Sequence, residues 1–151
     1  MVARPIEPEE KLQARKLQSI AFLLESDFSN IESSLEKSSQ GFETTRAVFN
    51  NEGKMCACLE LLPFKARFDG HSIALGGIGG VATLPEERRN GYMRSIFSLC
   101  MEEMFEKGYI FSYLYPFSHT YYRKFGYERN MCIRQLSIPL SCMSHFKQQG
   151  R

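Results

Sequence analysis

One stretch, from Gly76 to Lys107, limits the folds open to this chain, because it reads as a strand, a tight loop and one long helix. The segment 78–84 is short and mostly apolar, which favours a buried strand. After the loop, apolar residues recur at steps of three and four along one helical face: Met93, Ile96, Phe97, Cys100, Met101, Met104 and Phe105. Gly108 follows as a stop signal for this helix.

The loop between the strand and the helix carries Arg88, Arg89, Asn90 and Gly91. Free backbone N–H groups and the positive end of the helix dipole meet at a helix start, here beside two arginines. Such a place is suited to hold an anion such as a phosphate or pyrophosphate. Taken alone, the same pattern also fits an exposed basic turn that begins an ordinary amphipathic helix.

The longer string from Val81 to Met93 resembles the acyl-coenzyme A motif of the GNAT N-acetyltransferases, Arg/Gln-x-x-Gly-x-Gly/Ala. Arg88, Gly91 and Met93 occupy its places, with Met93 where the family has a small residue. Downstream, residues 121–127 read Tyr-Tyr-Arg-Lys-Phe-Gly-Tyr and are similar to the family's Tyr-x-x-Phe-Gly-Tyr segment. Together the two motifs look most like the first domain of the enhanced intracellular survival (Eis) acetyltransferases.

This resemblance implies a mixed α/β fold over residues 1–140, with 141–151 as a polar tail. The GNAT fold has a mostly antiparallel sheet, a β–α–β coenzyme-binding crossover and flanking helices. It also implies acetyl-coenzyme A as co-substrate, no metal, and Tyr122 as the general acid, with Tyr121 as the neighbouring alternative. The residues expected to contact the coenzyme are Val81, Ala82, Thr83, Arg88, Arg89, Asn90, Gly91, Tyr92, Met93, Arg94, Phe117 and Ser118.

The function implied is transfer of an acetyl group to a primary amine of a small, aminoglycoside-like or polyamine-like molecule. A homo-oligomer, as in Eis-like proteins, is the expected assembly. Eis-like proteins continue into further domains, and their terminal carboxylate serves as the general base. The alternative is therefore a non-catalytic coenzyme-binding or assembly domain, a fragment of a larger protein. The sequence leaves open the base and the acceptor.

The net charge and the cysteine spacing argue against several other classes of function. The formal net charge is +2, and the basic residues are dispersed outside 88–94 and 123–124, so nucleic-acid and membrane partners are not expected. The five cysteines lack metal-ligand spacing, and reduced core cysteines suggest a cytoplasmic protein. No apolar run approaches the length of a membrane span, and no Ser/His/Asp or phosphate-loop lysine pattern is present.

Three further groups of residues each fit two interpretations of the sequence. His119 fits either a base near the proposed site or a helix-start residue. The glycines at 76, 77, 79 and 80 indicate either a strand with a bulge or close backbone approach, or a flexible loop. Four acidic residues fit either an amine-binding surface or a solvated helix face: Glu25, Asp27, Glu32 and Glu36.

The remaining patterns predict a short strand over 3–7, a helix opening at Pro8 and a weaker helix ending near Lys37. Strands are expected over 46–50, 54–64, 109–115 and 131–140, with a short helix over 119–125. Pro63 either interrupts its strand or marks its edge.

Overall fold

The computed structural model describes residues 2–23, 43–131 and 135–139. Its sheet has five strands: β1 (Arg4–Pro5), β2 (Thr45–Phe49), β3 (Met55–Phe68), β4 (His71–Thr83) and β5 (Phe111–Leu114). Its helices are α1 (Lys11–Phe22), α2 (Tyr92–Glu106) and α3 (His119–Arg123), with 3₁₀ turns over Pro8–Glu10 and Pro85–Glu87. The strand order is β1-β2-β3-β4-β5, and every pairing is antiparallel except β4 with β5. The predicted mixed α/β fold is confirmed.

Each face of the sheet buries its own apolar core. One core joins β2, β3 and β4 to α2 and α3, and its members include Leu59, Ile96, Phe97, Met104 and Tyr122. The other lies beneath α1 and contains Ala14, Leu17, Cys58, Ala82 and Leu84. Alternate residues of β3 therefore serve different helices, as expected for a strand covered on both faces.

A long hairpin of β3 and β4 forms the centre of the sheet. Asp69 and Gly70 close it with φ angles of 48° and 79°, the left-handed geometry of a two-residue hairpin turn. The register shifts between Cys58 and Glu60, where Gly80 on β4 has a φ of 56°. The glycine-rich stretch is thus a bulged strand, and the interpretation as a flexible loop is wrong.

Pro63 marks an edge and does not interrupt its strand. The pairing of β3 with β2 stops at Glu60, which lies opposite Thr45, the first residue of β2. From there β3 continues to Phe68 along β4 alone. The N–H of Leu61 still donates to the Thr44 carbonyl, and two residues further on the proline nitrogen points the same way, where no strand is described. The missing donor therefore breaks no ladder bond.

The prediction of a last strand over 131–140 is wrong for the residues of that range that the structure describes, 131 and 135–139. They adopt no strand, and the apolar side chains among them are largely exposed, Leu136 to 84%. An alternating pattern specifies a strand only when a neighbouring edge and a core receive it. The predicted weaker helix and the acidic residues Glu25, Asp27, Glu32 and Glu36 lie outside the described residues.

Candidate functional site

The parallel pair β4–β5 separates part of the way along its length. Residues Leu75–Ile78 pair with Phe111–Leu114, and there β5 ends. Beyond this point, Gly79–Thr83 keep β3 on one side and have no strand among the described residues on the other. The edge of β4 is therefore open, and its backbone polar groups are available to a ligand.

The loop that follows β4 is shaped by two left-handed residues. After the 3₁₀ turn, Arg88 is extended, Arg89 has a φ of 71°, and Gly91 has a φ of 81° as the N-cap of α2. No side chain caps the helix. The N–H groups of its first turn thus remain without a capping acceptor, at the positive end of a 15-residue helix.

Three arginines surround this helix start. Arg88, Arg89 and Arg94 are exposed, and none forms a hydrogen bond or ion pair with another described residue. The Asn90 side chain, in contrast, donates to Glu87 Oε2 at 3.0 Å. Unpaired guanidinium groups beside uncapped N–H groups form an anion site whose positive charge is not neutralised by described acidic side chains.

The short helix α3 places an aromatic cluster against α2. The Tyr122 ring packs edge-on against Phe97 and Phe117, with centroids 6.3 and 5.3 Å away. Ser118 caps α3 by accepting the N–H of Tyr121 at 3.3 Å. Met93, in the first turn of α2, belongs to the same core as Tyr122, so α3 docks beside the helix that carries the anion site.

The two tyrosines of α3 differ in environment. Tyr122 is 4% exposed, and burial raises its pKa to about 12. Tyr121 is half-buried, and burial also raises its pKa. Tyr122 lines a cavity of about 860 Å³ along β5 together with Leu114, Pro116 and His119, whereas Tyr121 does not. None of the lining residues of this cavity belongs to β4 or to the basic loop, so the cavity is separate from the anion site.

The other predicted coenzyme contacts divide between the open strand and the loop. Val81 faces the α2 core, Ala82 is buried under α1, and Thr83 ends β4. Tyr92 is partly buried in the first turn of α2, and Phe117 is exposed. The structure thus brings residues 81–83 and 88–94 together along one path, with Phe117 and Ser118 on the neighbouring α3 segment.

The sequence interpretation missed a polar contact on the α1 side of the open strand. Gln18 of α1 donates from Nε2 to Glu60 Oε1 of β3 at 3.0 Å, next to the bulge at Gly80. A charged residue inside the otherwise apolar run of β3 was the signal available in the sequence.

Neither a metal site nor a membrane-spanning helix is seen among the described residues. No group of histidine, cysteine or acidic side chains there is arranged to hold a metal ion. None of the described helices combines the length and apolarity that crossing a membrane requires.

Several solved structures share this fold, and some of them are named as acetyltransferases or as a probable N-acyltransferase. A probable N-acyltransferase from Enterococcus faecalis V583 aligns with a TM-score of 0.72 and 25% identity, covering 83% of this chain and 31% of that one. Eis1 from Mycobacterium abscessus aligns with a TM-score of 0.70 and 15% identity, over 84% and 31%. Aminoglycoside 6′-N-acetyltransferase AAC(6′)-IG from Acinetobacter haemolyticus aligns with a TM-score of 0.68 and 13% identity, over 92% and 99%.

The sequence comparison defines the class more closely. The acetyltransferase (GNAT) domain family matches residues 2–129, and the chain belongs to that family. No curated protein matches it. The chain spans 31% of the length of the Enterococcus faecalis protein.

Proposed function

We propose that this chain is an acetyl-coenzyme A-dependent N-acetyltransferase domain that acts on a primary amine of a small molecule. The observation that carries the proposal is the continuity of the open edge Gly79–Thr83 with the uncapped, arginine-rich start of α2. An extended thioester arm can pair with a strand edge while its phosphates lie at a helix N-terminus.

The donor set fits the phosphates of coenzyme A. Arg88, Arg89 and Arg94 supply charge-assisted hydrogen bonds, and the N–H groups of the first turn of α2 supply directed donors. Acetyl-coenzyme A would bring an activated acetyl thioester when bound. The domain boundaries proposed are 1–140, followed by a polar tail at 141–151.

The remaining chemistry is assigned to two groups of the chain. A backbone N–H of the open edge near Val81–Thr83 polarises the thioester carbonyl. Tyr122 donates a proton to the departing sulfur, since its raised pKa keeps the phenol protonated at neutral pH. Tyr121 is the neighbouring alternative on the same helix, and Tyr122 is preferred because it holds the matching position of the motif.

The acceptor proposed is an aminoglycoside-like or polyamine-like amine. The fold shared with an aminoglycoside acetyltransferase and with Eis1 is compatible with that class. A homo-oligomer is the proposed assembly. The buried free thiols of Cys56, Cys58 and Cys100 support a reducing, cytoplasmic compartment.

The phosphate site is tested by replacing Arg88 and Arg89 together with alanine. We expect coenzyme A affinity, measured by titration calorimetry, to fall by about 1–3 kcal/mol, as for lost hydrogen bonds to charged groups. The affinity of the wild-type protein should also weaken with added salt. The matched control is Lys65→Ala with Arg67→Ala, which removes two exposed charges near the far end of β4.

Equal coenzyme A affinity in the arginine variant and in wild type would show that the phosphates do not bind at this loop. Thiol release from acetyl-coenzyme A with a panel of amines then tests the reaction itself. Tight coenzyme binding without transfer to any amine would favour the alternative, a non-catalytic coenzyme-binding or assembly domain.

A further inference from the structure

On the α1 side of the sheet, β3 carries a carboxylate beside the bulge of β4, and an amide holds it in place. Glu60 is partly buried on β3, and its Oε1 accepts the Nε2–H of Gln18 at 3.0 Å. Gln18 is itself buried, with 8% of its surface exposed. The amide therefore fixes the carboxylate against the sheet and restricts its rotamers.

Glycines bring this carboxylate close to the backbone of β4. A Cβ atom at Gly80 would lie 3.1 Å from the carboxyl carbon of Glu60 and would overlap the Gln18 amide. A Cβ atom at Gly79 would lie 3.8 Å from Glu60 Oε2. Only a residue without a side chain, at a φ of 56°, lets the pair approach the bulge so closely.

The second oxygen of Glu60 is left for another partner. Oε2 accepts no hydrogen bond from the described residues, and the bond from Gln18 goes to Oε1. Arg15 of α1 lines a small cavity with Glu60, yet it forms no ion pair with the carboxylate. A partly buried carboxylate with one fixed and one unused oxygen is suited to bind a cationic donor.

We propose that Glu60 binds the ammonium group of the acceptor amine and takes its proton, and that Gln18 positions it. This inference rests on the proposed function, because the thioester is expected at the open edge of β4 near Val81–Thr83, which follows the bulge at Gly80 directly. It assigns the acceptor to the α1 side of the sheet and to the class of cationic primary amines.

The step balances in atoms and protons. The ammonium gives one proton to the Glu60 carboxylate, which frees the nitrogen lone pair for attack on the thioester carbonyl carbon. The N–C bond forms and the C–S bond breaks, with the electron pair leaving on sulfur. The nitrogen loses its second proton to water, the sulfur takes a proton from Tyr122, and Tyr122 is reprotonated by solvent. Glu60 then gives its proton to water and returns to the carboxylate. One proton is released in each turnover.

The decisive variant is Glu60→Gln. It has nearly the same size as glutamate and can still accept the hydrogen bond from Gln18, but it carries no charge. Turnover of spermidine or kanamycin should fall by about 10²-fold, the scale of lost general-base help. Hydroxylamine, which is neutral at the assay pH, should lose much less, because it needs neither a counterion nor deprotonation before attack. The control, Glu52→Gln in the exposed turn before β3, should change neither rate.

Direct binding separates this inference from the proposed function. Coenzyme A affinity should be unchanged in Glu60→Gln, whereas spermidine affinity in the presence of coenzyme A should fall at least tenfold. Equal spermidine affinity and equal rates in the variant would overturn the role of Glu60. Wild-type protein that binds coenzyme A but neither binds nor acetylates any cationic amine also overturns it. Wild-type protein that fails to bind coenzyme A refutes the proposed function instead.

Discussion

At the scale of single residues, Tyr122 shows how burial suits a side chain to one protonation state. Phe97, Phe117 and Tyr127 surround its ring, and desolvation raises its pKa to about 12. An unfolded tyrosine has a pKa near 10, so this residue favours the folded state below about pH 10, and that contribution is lost as pH rises through 12. Throughout the neutral range it is a proton donor.

Replacing Tyr122 with phenylalanine keeps the packing and removes the proton. In an active enzyme we expect turnover to fall by about 10²-fold, with coenzyme affinity nearly intact. Wild-type activity should show no loss from Tyr122 ionisation up to about pH 9, since its pKa is raised. Steady-state rates across pH measure both effects.

Tyr121→Phe is the matched control, one residue away on the same helix. It should leave turnover near the wild-type rate. If Tyr122→Phe turns over like wild type while Tyr121→Phe is slow, the two assignments must be exchanged.

Residue roles were only partly readable from the sequence. The motif singled out Tyr122, which proves to be buried against the helix that carries the arginines. The contact between Gln18 and Glu60 spans 42 positions of the chain and depends on how α1 docks on the sheet. No local pattern encodes such a docking, so this pair was found only in three dimensions.

At the scale of elements, the start of α2 depends on one backbone conformation. Gly91 is its N-cap with a φ of 81°, and an added Cβ would meet no protein atom within 4 Å. The demand for glycine there is therefore conformational within the protein itself, and any steric demand would come from the ligand.

Gly91→Val tests this demand, because a β-branched residue is strained at positive φ. We expect coenzyme A affinity to fall at least tenfold while the thermal unfolding transition survives. Gly91→Asn is the control, since asparagine tolerates the left-handed region. Calorimetric titration of both variants distinguishes conformation from crowding: loss in both indicates that the ligand needs the space. Normal binding by Gly91→Val would place the phosphates elsewhere.

The strands were predicted best where two signals agreed. β2 combines apolar residues with a clear turn, and its predicted position is confirmed to within one residue. β4 ends within one residue of the predicted segment 78–84 and begins earlier, at His71, directly after the hairpin turn. β3 runs four residues beyond the predicted end, because β4 supports it after Pro63. The last predicted strand rested on alternation alone, and its described residues have neither a partner strand nor a core.

At the scale of the whole molecule, one ion pair ties the sheet to α2. Arg46 of β2 binds Glu103 with two bonds, Nε to Oε1 at 2.6 Å and Nη2 to Oε2 at 2.7 Å. Lys107 also reaches Glu103 at 3.2 Å. The side chain of Arg46 is only 6% exposed, so its charge depends on this partner.

Glu103→Gln should lower the free energy of unfolding by about 3 kcal/mol, since a buried guanidinium loses its counterion. Arg46 holds the pKa of the Glu103 carboxyl below its usual range. The pair therefore stabilises the fold above the unfolded pKa of about 4.3, and this stabilisation is lost as pH falls through the lower folded pKa. Denaturant unfolding of both proteins between pH 3 and 7 should show a weaker acid dependence in the variant.

Glu128→Gln provides the control, because its ion pair with Arg123 is exposed on both sides. It should leave the free energy of unfolding nearly unchanged. A Glu103→Gln protein as stable as this control would show that Arg46 finds other partners when Glu103 is neutral.

The half of β3 that continues past β2 also bears on solubility. From Leu62 to Phe68 this strand has no neighbouring strand on its outer side among the described residues, and such an edge is a template for pairing with another chain. Pro63 removes one hydrogen-bond donor from that edge, and Lys65 and Arg67 add two exposed positive charges. Because like charges would meet if two copies aligned there, this edge of the sheet resists aggregation by strand addition.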